Sequence, residues 1–279
     1  MANLAINDKN RLNDVKDLIY NLDCKKNKQK FGKNLPDTII IHYTAGGNGQ
    51  ASAKYLCKDS VKASAHLVIS RDGKIYQLVP FNIIAWHAGV SSYNGRTGFN
   101  KYAIGIEIDN AGVLEKRGDK FFSWFGKEYN KNQVIKAKHR NEKTERYWHT
   151  YTQEQIETVE QICSLLIEKY NIKTILGHEE ISPGRKQDPG PAFPLDKLRE
   201  KLLSDRIIDS PQILKKEING KVIASALNIR ENPNINAEKT AKPLQKGTSV
   251  KILEKYGDWY KIETEITGWV SAKYIEQQK

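Results

Sequence analysis

The sequence predicts an α/β domain with a central mixed β-sheet flanked by helices, followed by a small all-β barrel. Short apolar runs typical of buried strands alternate with a segment of helical period, which favours the α/β class. Past about residue 203 the pattern changes to short alternating strands separated by turns. At 279 residues the chain is longer than one average domain. We expect domains over 1–204 and 218–279, joined by a linker over 205–217.

Four segments of the first domain have the pattern of strands. Thr38–His42 is a β-branched apolar run, as expected of a strand buried on both faces. His66–Ser70 and Lys74–Val79 flank an Asp-Gly turn, which is a strong hairpin signal. Ala103–Asp109 alternates strictly and places Glu107 on its more polar face. These segments predict the strands of the central sheet.

A charged stretch from about 115 to 150 has no clear period and is interpreted as a long surface insertion. Its aromatic residues form either a flap over a groove or a small satellite core, and the sequence leaves both alternatives open. His139 and His149 lie within it, and we expect both to be solvated. After it, Thr152 begins a capping box that predicts a helix, and Ile172–Leu176 predicts another buried strand.

The composition is that of a folded protein with a strong positive charge. A mean hydropathy of -0.63 and the absence of a long apolar run exclude a membrane-spanning helix. The formal net charge of +12 and an isoelectric point near 9.4 imply attraction to an anionic partner. Nucleic acid, an anionic wall polymer and an anionic membrane surface all satisfy this charge. Because no recognisable nucleic-acid module is present, we expect no nucleic-acid partner.

The N-terminus and the cysteines indicate where the chain folds. Residues 1–8 have neither a basic start nor a continuous apolar stretch, so no secretory leader is expected. Cys24, Cys57 and Cys163 are widely spaced and form no C-x-x-C pair. Cys163 falls on the apolar face of the predicted helix, where we expect a buried reduced thiol. The odd count without a leader favours folding in a reducing cytoplasm.

Two histidines and one carboxylate are candidates for a metal site. His42 ends one buried strand and His178 another, and functional groups gather at strand ends in such sheets. Asp188 follows ten positions after His178 in a loop bounded by proline and glycine, which can fold it back. Two imidazoles and one carboxylate leave a fourth tetrahedral position open, as in catalytic zinc sites. Taken alone, a histidine at a strand end is more often a hydrogen-bonded structural residue, but the three together favour zinc.

Other residues compete for this site or border it. His66 begins a strand and is a weaker candidate for metal ligation. Trp86 and His87 are expected to form a wall of the substrate groove. Arg96 and Asn100 are candidates for contact with a peptide carboxylate.

Separated motifs occur in order between about residues 36 and 200, namely Ile40–Thr44, Ala85–Gly89, Ile104–Glu107, Gly177–His178 and Arg185–Gly190. Together they resemble the type 2 N-acetylmuramoyl-L-alanine amidases. The C-terminal segment contains Leu227–Arg230, Lys246–Thr248, Gly257–Ile262 and Gly268–Val270. It resembles bacterial SH3-type wall-binding domains, so the expected barrel is SH3-like.

The resemblance implies cleavage of the amide that joins the lactyl group of N-acetylmuramic acid to L-alanine in peptidoglycan. His42, His178 and Asp188 match the zinc ligands, Glu107 the catalytic carboxylate and Lys186 the catalytic lysine. Zinc in such sites lowers the pKa of its water from about 15.7 to roughly 7. Without the resemblance, Glu107 is also compatible with a solvated strand residue, and Lys186 with a generic basic loop.

The leading hypothesis is a phage endolysin, which is bacteriolytic and acts on the cell wall. The missing leader favours it, because an endolysin is made in the host cytoplasm and acts after release. A barrel that holds the enzyme on polymer favours it too. Gly98 stands where recycling members tend to carry a basic residue, which mildly disfavours recycling. The alternatives are a cytosolic muropeptide-recycling amidase and a peptidoglycan recognition protein without turnover; we expect a monomer.

Overall fold

The computed structural model describes residues 4–13, 15, 17–203, 218–231, 237–256, 259–264 and 267–277. The described residues form two compact units, one with most of residues 4–203 and the other with residues 218–277. The expected linker over 205–217 lies outside the described residues. No described helix is both long enough and apolar enough to cross a bilayer.

The larger unit contains most of the regular structure. In chain order, the strands are β1 (Ile19–Asn21), β2 (Thr38–Tyr43), β3 (Leu67–Ile69), β4 (Ile75–Gln77), β5 (Ser92–Tyr93), β6 (Arg96–Thr97), β7 (Ala103–Ile108), β8 (Val113–Arg117), β9 (Lys120–Phe122), β10 (Glu128–Tyr129), β11 (Val134–Lys138), β12 (Glu145–His149) and β13 (Thr174–Gly177). The α-helices are α1 (Gly49–Cys57), α2 (Gln153–Tyr170), α3 (His178–Ile181) and α4 (Leu195–Leu203). Short 3₁₀ helices cover Phe99–Lys101 and Lys131–Gln133.

The central sheet has six strands in the order β1-β4-β3-β7-β2-β13. Strands β3, β7, β2 and β13 are parallel, whereas β3 and β4 form an antiparallel hairpin. Gly73 adopts a φ of +76° in the hairpin turn, where the Asp-Gly signal predicts it. Ile39, Ile40 and Ile41 of β2 are fully buried, because this strand is covered on both faces. The predicted central mixed sheet is confirmed.

Helix α2 packs against the central sheet. Thr152 Oγ1 accepts a hydrogen bond from Gln155 N, and Thr152 N donates to Gln155 Oε1, both at 3.1 Å. This is the predicted capping box. The apolar face of the helix lies in one core with the strands, and its fully buried members are Val159, Ile162, Cys163 and Leu166.

The insertion is an ordered antiparallel sheet of five strands in the order β10-β9-β8-β12-β11. Phe121 is buried with Ala111, Leu114 and Tyr129 in a small core of its own. Trp124, at the tip of the β9–β10 hairpin, is 77% exposed. The satellite-core alternative therefore applies to Phe121, whereas a flap formed by Trp124 stays a prediction.

Two histidines of the insertion correct the prediction that they are solvated. His139 is buried. Its Nε2 lies 2.5 Å from Oε2 of Glu179, and its ring stacks on Trp148. His149 is buried, and its Nδ1 accepts a hydrogen bond from Ala111 N at 3.1 Å. Charged neighbours in the sequence are therefore not enough to predict a solvated imidazole, because a distant element can bury the ring and supply its hydrogen-bond partner.

The smaller unit is all-β. Its strands are β14 (Ile218–Val222), β15 (Ala226–Leu227), β16 (Leu244–Gln245), β17 (Ser249–Tyr256), β18 (Trp259–Glu263), β19 (Thr267–Ser271) and β20 (Ile275–Gln277), with a 3₁₀ helix over Ala272–Tyr274. Five of them form a sheet in the order β19-β18-β17-β14-β20, and β15 pairs with β16. A separate core fills the unit, and its buried members are Val222, Leu227, Ile229, Val250, Tyr260, Ile262, Val270 and Ile275.

The structure pairs two of the three cysteines. Cys24 and Cys57 form a disulfide with Cα atoms 4.9 Å apart, while Cys163 is a buried free thiol as predicted. Disulfides persist mainly in oxidising surroundings, and folding in a reducing cytoplasm stays a prediction. The sequence gives no sign of the pairing, because only the fold brings the N-terminal segment to the end of α1.

We predict that reduction of this disulfide lowers the melting temperature. It closes a loop between residues 33 apart in the sequence. In the chain-entropy description such a loop is worth roughly 3–4 kcal/mol, or about 10 °C for a unit of this size. Calorimetry with and without a thiol reductant measures the shift. The double variant Cys24→Ser/Cys57→Ser should have a Tm below that of the oxidised wild type, and the reductant should not change it. A wild-type Tm that the reductant also leaves unchanged contradicts the prediction.

Candidate functional site

The register of two parallel strands places His42 beside Glu107. In the β2–β7 pair, His42 aligns with Glu107 and Ile40 with Gly105. Aligned residues of parallel neighbours project to the same face, so His42, Glu107 and Gly105 share one side of the sheet. A Cβ on Gly105 would lie 2.4 Å from the ring of His87, so glycine is required for that ring to lie flat on the strand. The sheet thus forms the floor of a cleft.

His178 reaches the same point from the neighbouring strand. β13 runs parallel to β2 with Gly177 aligned to Ile41, and α3 begins at His178. Asp188 returns through the following loop, because Glu179 N donates to the carbonyl oxygen of Asp188 at 2.8 Å. The loop is held a second time by Gly190 N, which donates to Glu179 Oε2 at 3.2 Å.

The three predicted metal-site side chains converge. Nδ1 of His42 lies 3.0 Å from Nδ1 of His178, and each nitrogen lies 2.9 Å from Oδ2 of Asp188. All three residues are buried, with relative exposures of 6% or less. They are the group of potential ligands that the described residues bring together.

Hydrogen bonds on the outer side of the rings assign the tautomers. Nε2 of His178 faces the carbonyl oxygen of Ala88 at 3.1 Å, so it carries the proton and donates. Nε2 of His87 donates in the same way to Ala103 O at 3.0 Å. The neutral His87 ring therefore accepts at Nδ1 from Nε2 of His42, at 3.0 Å. In neutral His42 and His178, Nδ1 is consequently unprotonated and points into the shared site.

Burial controls the protonation of these groups. It lowers the pKa of His42 to about 4, with a further contribution from His178, so this ring is neutral near pH 7. It lowers the pKa of His87 well below the ordinary value as well. For Asp188, burial favours the neutral form, but the contacts with His178 and His42 outweigh it and the pKa lies below its ordinary value. The carboxylate is therefore ionised.

These observations test whether a metal ion fits. Two imidazole nitrogens and one carboxylate oxygen face each other within 3.0 Å, and either a proton on a ring nitrogen or a cation between the three atoms relieves the repulsion of their lone pairs. Both rings donate their other N–H to an outer acceptor, as metal-bound histidines almost always do. Two nitrogens and one oxygen are a ligand set that suits zinc. The donor set therefore fits a zinc ion.

A cavity of about 440 Å³, here called the metal cleft, opens beside the three side chains. Its lining includes Trp86, Glu107 and Lys186. Oε2 of Glu107 is buried and has no hydrogen-bond partner among the described residues. Burial and the charge of Asp188 raise the pKa of Glu107 well above its ordinary value, and Lys186 partly opposes this. An unpartnered carboxylate with a raised pKa is suited to accept a proton inside a cleft.

The structure does not bring every predicted substrate-contacting residue to the cleft. Arg96 binds both carboxylate oxygens of Asp37, at 3.1 and 3.0 Å, and stacks on Tyr102. Asp37 precedes the first residue of β2, whereas His42 lies near its end, so Arg96 lies at the opposite edge of the sheet. This corrects the prediction for Arg96, whose charge is already paired.

Asn100 holds the backbone of a segment that lines the cleft. Its Oδ1 accepts hydrogen bonds from the backbone nitrogens of His87 and Ala88, at 2.9 and 2.7 Å. His87 itself is 8% exposed and lines the cleft, and its ring nitrogens link His42 to Ala103. Asn100 therefore positions this segment through Oδ1. The contact with a peptide carboxylate, which only Nδ2 can donate, stays a prediction.

His66 is a structural residue. Its Nε2 donates to Ile83 O at 2.9 Å, and its Nδ1 accepts from Gly105 N at 3.0 Å. Burial lowers its pKa to about 4, so the ring is neutral. Both ring nitrogens are occupied, which removes His66 as a metal ligand.

Residues of the insertion brace the loop that carries Asp188, which sequence reasoning missed. His139 Nε2 and Arg140 Nε lie 2.5 and 2.8 Å from the two carboxylate oxygens of Glu179. The same carboxylate accepts from Gly190 N. Asn141 Nδ2 donates to Glu179 O at 2.9 Å. We call these contacts of Glu179 the loop brace; no local pattern joins segments 40 residues apart, so only the fold reveals it.

Comparison with known proteins agrees with this site. Residues 32–191 match the family N-acetylmuramoyl-L-alanine amidase, and residues 225–276 match the bacterial SH3 domain. N-acetylmuramoyl-L-alanine amidase AmiD of Escherichia coli (strain K12) is 30% identical over 190 residues, which cover 65% of this chain and 58% of the relative. 1,6-Anhydro-N-acetylmuramyl-L-alanine amidase AmpD of the same organism is 35% identical over 135 residues, which cover 48% and 55%.

Among solved structures, the crystal structure of a Se-Met AmpD derivative aligns with a TM-score of 0.47 and 26% identity, covering 66% of this chain and 93% of that one. The chain spans a little over half the length of the two curated relatives. The family match covers more than half of the chain and includes every residue of the convergent site. The resemblance seen in the separated motifs is thus confirmed, and the chain belongs to the N-acetylmuramoyl-L-alanine amidase family, with a bacterial SH3 domain at its C-terminal end.

Proposed function

We propose that this chain hydrolyses the amide between N-acetylmuramic acid and L-alanine in peptidoglycan fragments, with zinc bound by His42, His178 and Asp188. The observation that carries the proposal is the triangle of two Nδ1 atoms and one carboxylate oxygen, all within 3.0 Å. When bound, zinc supplies a Lewis acid that polarises the amide carbonyl and acidifies a neighbouring water. The family match supports the reaction type.

Glu107 moves the proton in this proposal. Its unpartnered Oε2 faces the cleft beside His42, on the same side of the sheet. The carboxylate takes a proton from the attacking water and returns it to the departing amine of L-alanine. Lys186, which also lines the cleft, stabilises the negative charge that develops on the carbonyl oxygen.

Soluble muropeptides are the substrate class that the relatives favour. Several matched relatives are by name 1,6-anhydro-N-acetylmuramyl-L-alanine amidases, that is, amidases named for a modified end sugar. We therefore prefer the recycling-type alternative to the endolysin interpretation. A recognition protein without turnover has no support in the site, because the three candidate ligands and Glu107 are all present.

Hydrolysis of polymeric cell wall is the second candidate function, and the C-terminal unit supports it. Residues 225–276 match a bacterial SH3 domain, and a second binding module raises the local concentration of an enzyme on polymer. The Cys24–Cys57 disulfide is compatible with action outside a reducing cytoplasm. The place of synthesis, the release step and the monomeric state stay predictions.

A digestion experiment tests the reaction and separates the two substrate classes. The full chain with zinc is incubated in parallel with purified soluble muropeptides and with intact wall sacculi, and new L-alanine amino termini are counted. Release from the soluble fragments alone supports the recycling-type proposal, and faster release from sacculi supports the wall hydrolase. No release from either substrate refutes the proposed reaction.

We predict that Glu107→Gln lowers kcat by about 10²–10⁴-fold, because the amide cannot accept the water proton. The side chain keeps its size, and zinc content measured by atomic absorption should stay at the wild-type value. A variant that keeps wild-type kcat excludes Glu107 as the base.

We predict that His178→Ala abolishes stoichiometric zinc, because two ligands no longer enclose a tetrahedral site. Chelation of the wild type should abolish activity, and added zinc should restore it. Glu107→Gln is the matched control, since it removes activity and retains metal. Full zinc occupancy in His178→Ala is the result that contradicts the ligand assignment.

We predict that Glu179→Gln weakens zinc binding by about 10–100-fold, because the loop brace no longer fixes the segment that carries Asp188. Competition with a zinc-binding dye measures the Kd. Lys120→Ala is the control, as it breaks an exposed ion pair with Glu128 in the same insertion sheet and should leave the Kd unchanged. Equal affinities in all three proteins show that the brace does not act on the site.

A further inference from the structure

A second cavity, of about 480 Å³, meets the metal cleft at Glu107. It runs between the loop after β2 and helix α1 to the tip of the β9–β10 hairpin. Its large apolar and aromatic lining residues are Tyr55, Leu56, Trp124 and Phe125, and we call this cavity the aromatic groove. None of these four residues has a part in the proposed proton transfer or zinc binding, so the groove is a feature that the reaction alone does not explain.

Trp124 is exposed but held in place. Its side chain is 77% exposed, yet its Nε1 donates a hydrogen bond to Ala45 O at 2.8 Å. Phe125 packs against it edge to face, with ring centroids 5.5 Å apart. A Cβ on Gly47 would lie 3.1 Å from the Phe125 ring, so this ring also contacts the backbone of the loop after β2. The indole is therefore a fixed apolar surface next to the cleft.

The hairpin tip that carries the two rings is itself ordered by its backbone. Ser123 N donates to Lys127 O and Gly126 N donates to Ser123 O, both at 2.9 Å. Gly126 takes a φ of +84°, which closes the turn without strain only for glycine. A surface that is already rigid loses little entropy when it binds a ligand.

The metal cleft and the aromatic groove differ in charge. The metal cleft is lined by Arg185 and Lys186, whereas the aromatic groove contains no lysine or arginine. The substrate has two halves that leave the scissile amide in different directions, a stem peptide with carboxylates and an uncharged N-acetylated sugar. Charge complementarity favours the stem peptide on the basic side of the metal cleft, which leaves the aromatic groove for the sugar.

We propose that the aromatic groove binds the sugar ring that adjoins N-acetylmuramic acid, with Trp124 stacking on its C–H face. Sugar rings present patches of C–H groups that pack on aromatic faces, while Thr44 and Ser52 at the groove wall offer hydroxyls to the sugar's polar groups. This inference rests on the proposed amidase function and deepens it. The enzyme then prefers substrates that carry at least two sugars over those that carry N-acetylmuramic acid alone.

A pair of matched substrates tests the groove. The full chain is assayed on an N-acetylmuramoyl peptide and on the same peptide attached to N-acetylglucosaminyl-N-acetylmuramic acid. We expect the wild-type kcat/KM to be about five- to tenfold higher for the disaccharide, with the difference in KM, and Trp124→Ala to bring the ratio close to one. Trp124→Phe should keep part of the preference, because it keeps an aromatic face.

Phe122→Ala is the matched control, since it removes a ring from the same hairpin but from outside the groove, and its ratio should equal that of the wild type. A wild-type ratio near one, or a Trp124→Ala loss that depends on peptide length and not on the second sugar, overturns the proposal. Calorimetric titration with the peptide-free disaccharide is independent of turnover. Weaker binding by Trp124→Ala supports the groove even if neither substrate is cleaved, and equal binding overturns it.

Discussion

The constraint on which this fold depends is the approach of three electron-pair donors to one point. His42, His178 and Asp188 present two ring nitrogens and a carboxylate oxygen to one another at 2.9–3.0 Å. Their lone pairs repel unless a proton or a cation lies between them, so the surrounding structure must hold them together. The parallel register of β13 and β2 sets the two histidines side by side, and backbone carbonyls behind the rings hold the tautomers.

The support behind His42 shows how far this constraint extends into the sheet. His42 donates to His87, His87 donates to the carbonyl of Ala103, and the His87 ring occupies the space that Gly105 leaves free. A larger residue in place of Gly105 displaces His87, which accepts the hydrogen bond from His42 Nε2. A glycine in the middle of a strand usually weakens it, but here it makes room for the ring that fixes the orientation of His42.

Local patterns predicted the central sheet, the capping box of α2 and the convergence of His42 with His178, because parallel strand ends meet at one edge. They did not predict the sheet in the insertion, whose short strands lack a clear period. The disulfide and the Arg96–Asp37 pair depend on contacts between distant segments, for which one sequence holds no signal. For His139, charged neighbours in the sequence were a poor guide, since its partner Glu179 lies 40 positions away.

The insertion contacts two separate parts of the site, the loop that carries Asp188 and the loop after β2. Its last turn supplies His139 and Arg140 to the loop that carries Asp188, while its hairpin tip places Trp124 beside Ala45 at the end of β2. Strands β8 and β12 connect these ends through one antiparallel sheet with its own buried core. A packed sheet moves as a unit, so the aromatic surface and the ligand loop are held at a fixed separation. Under the proposed function, the insertion therefore sets where the sugar lies relative to His42, His178 and Asp188, which is a requirement for presenting one particular amide to Glu107.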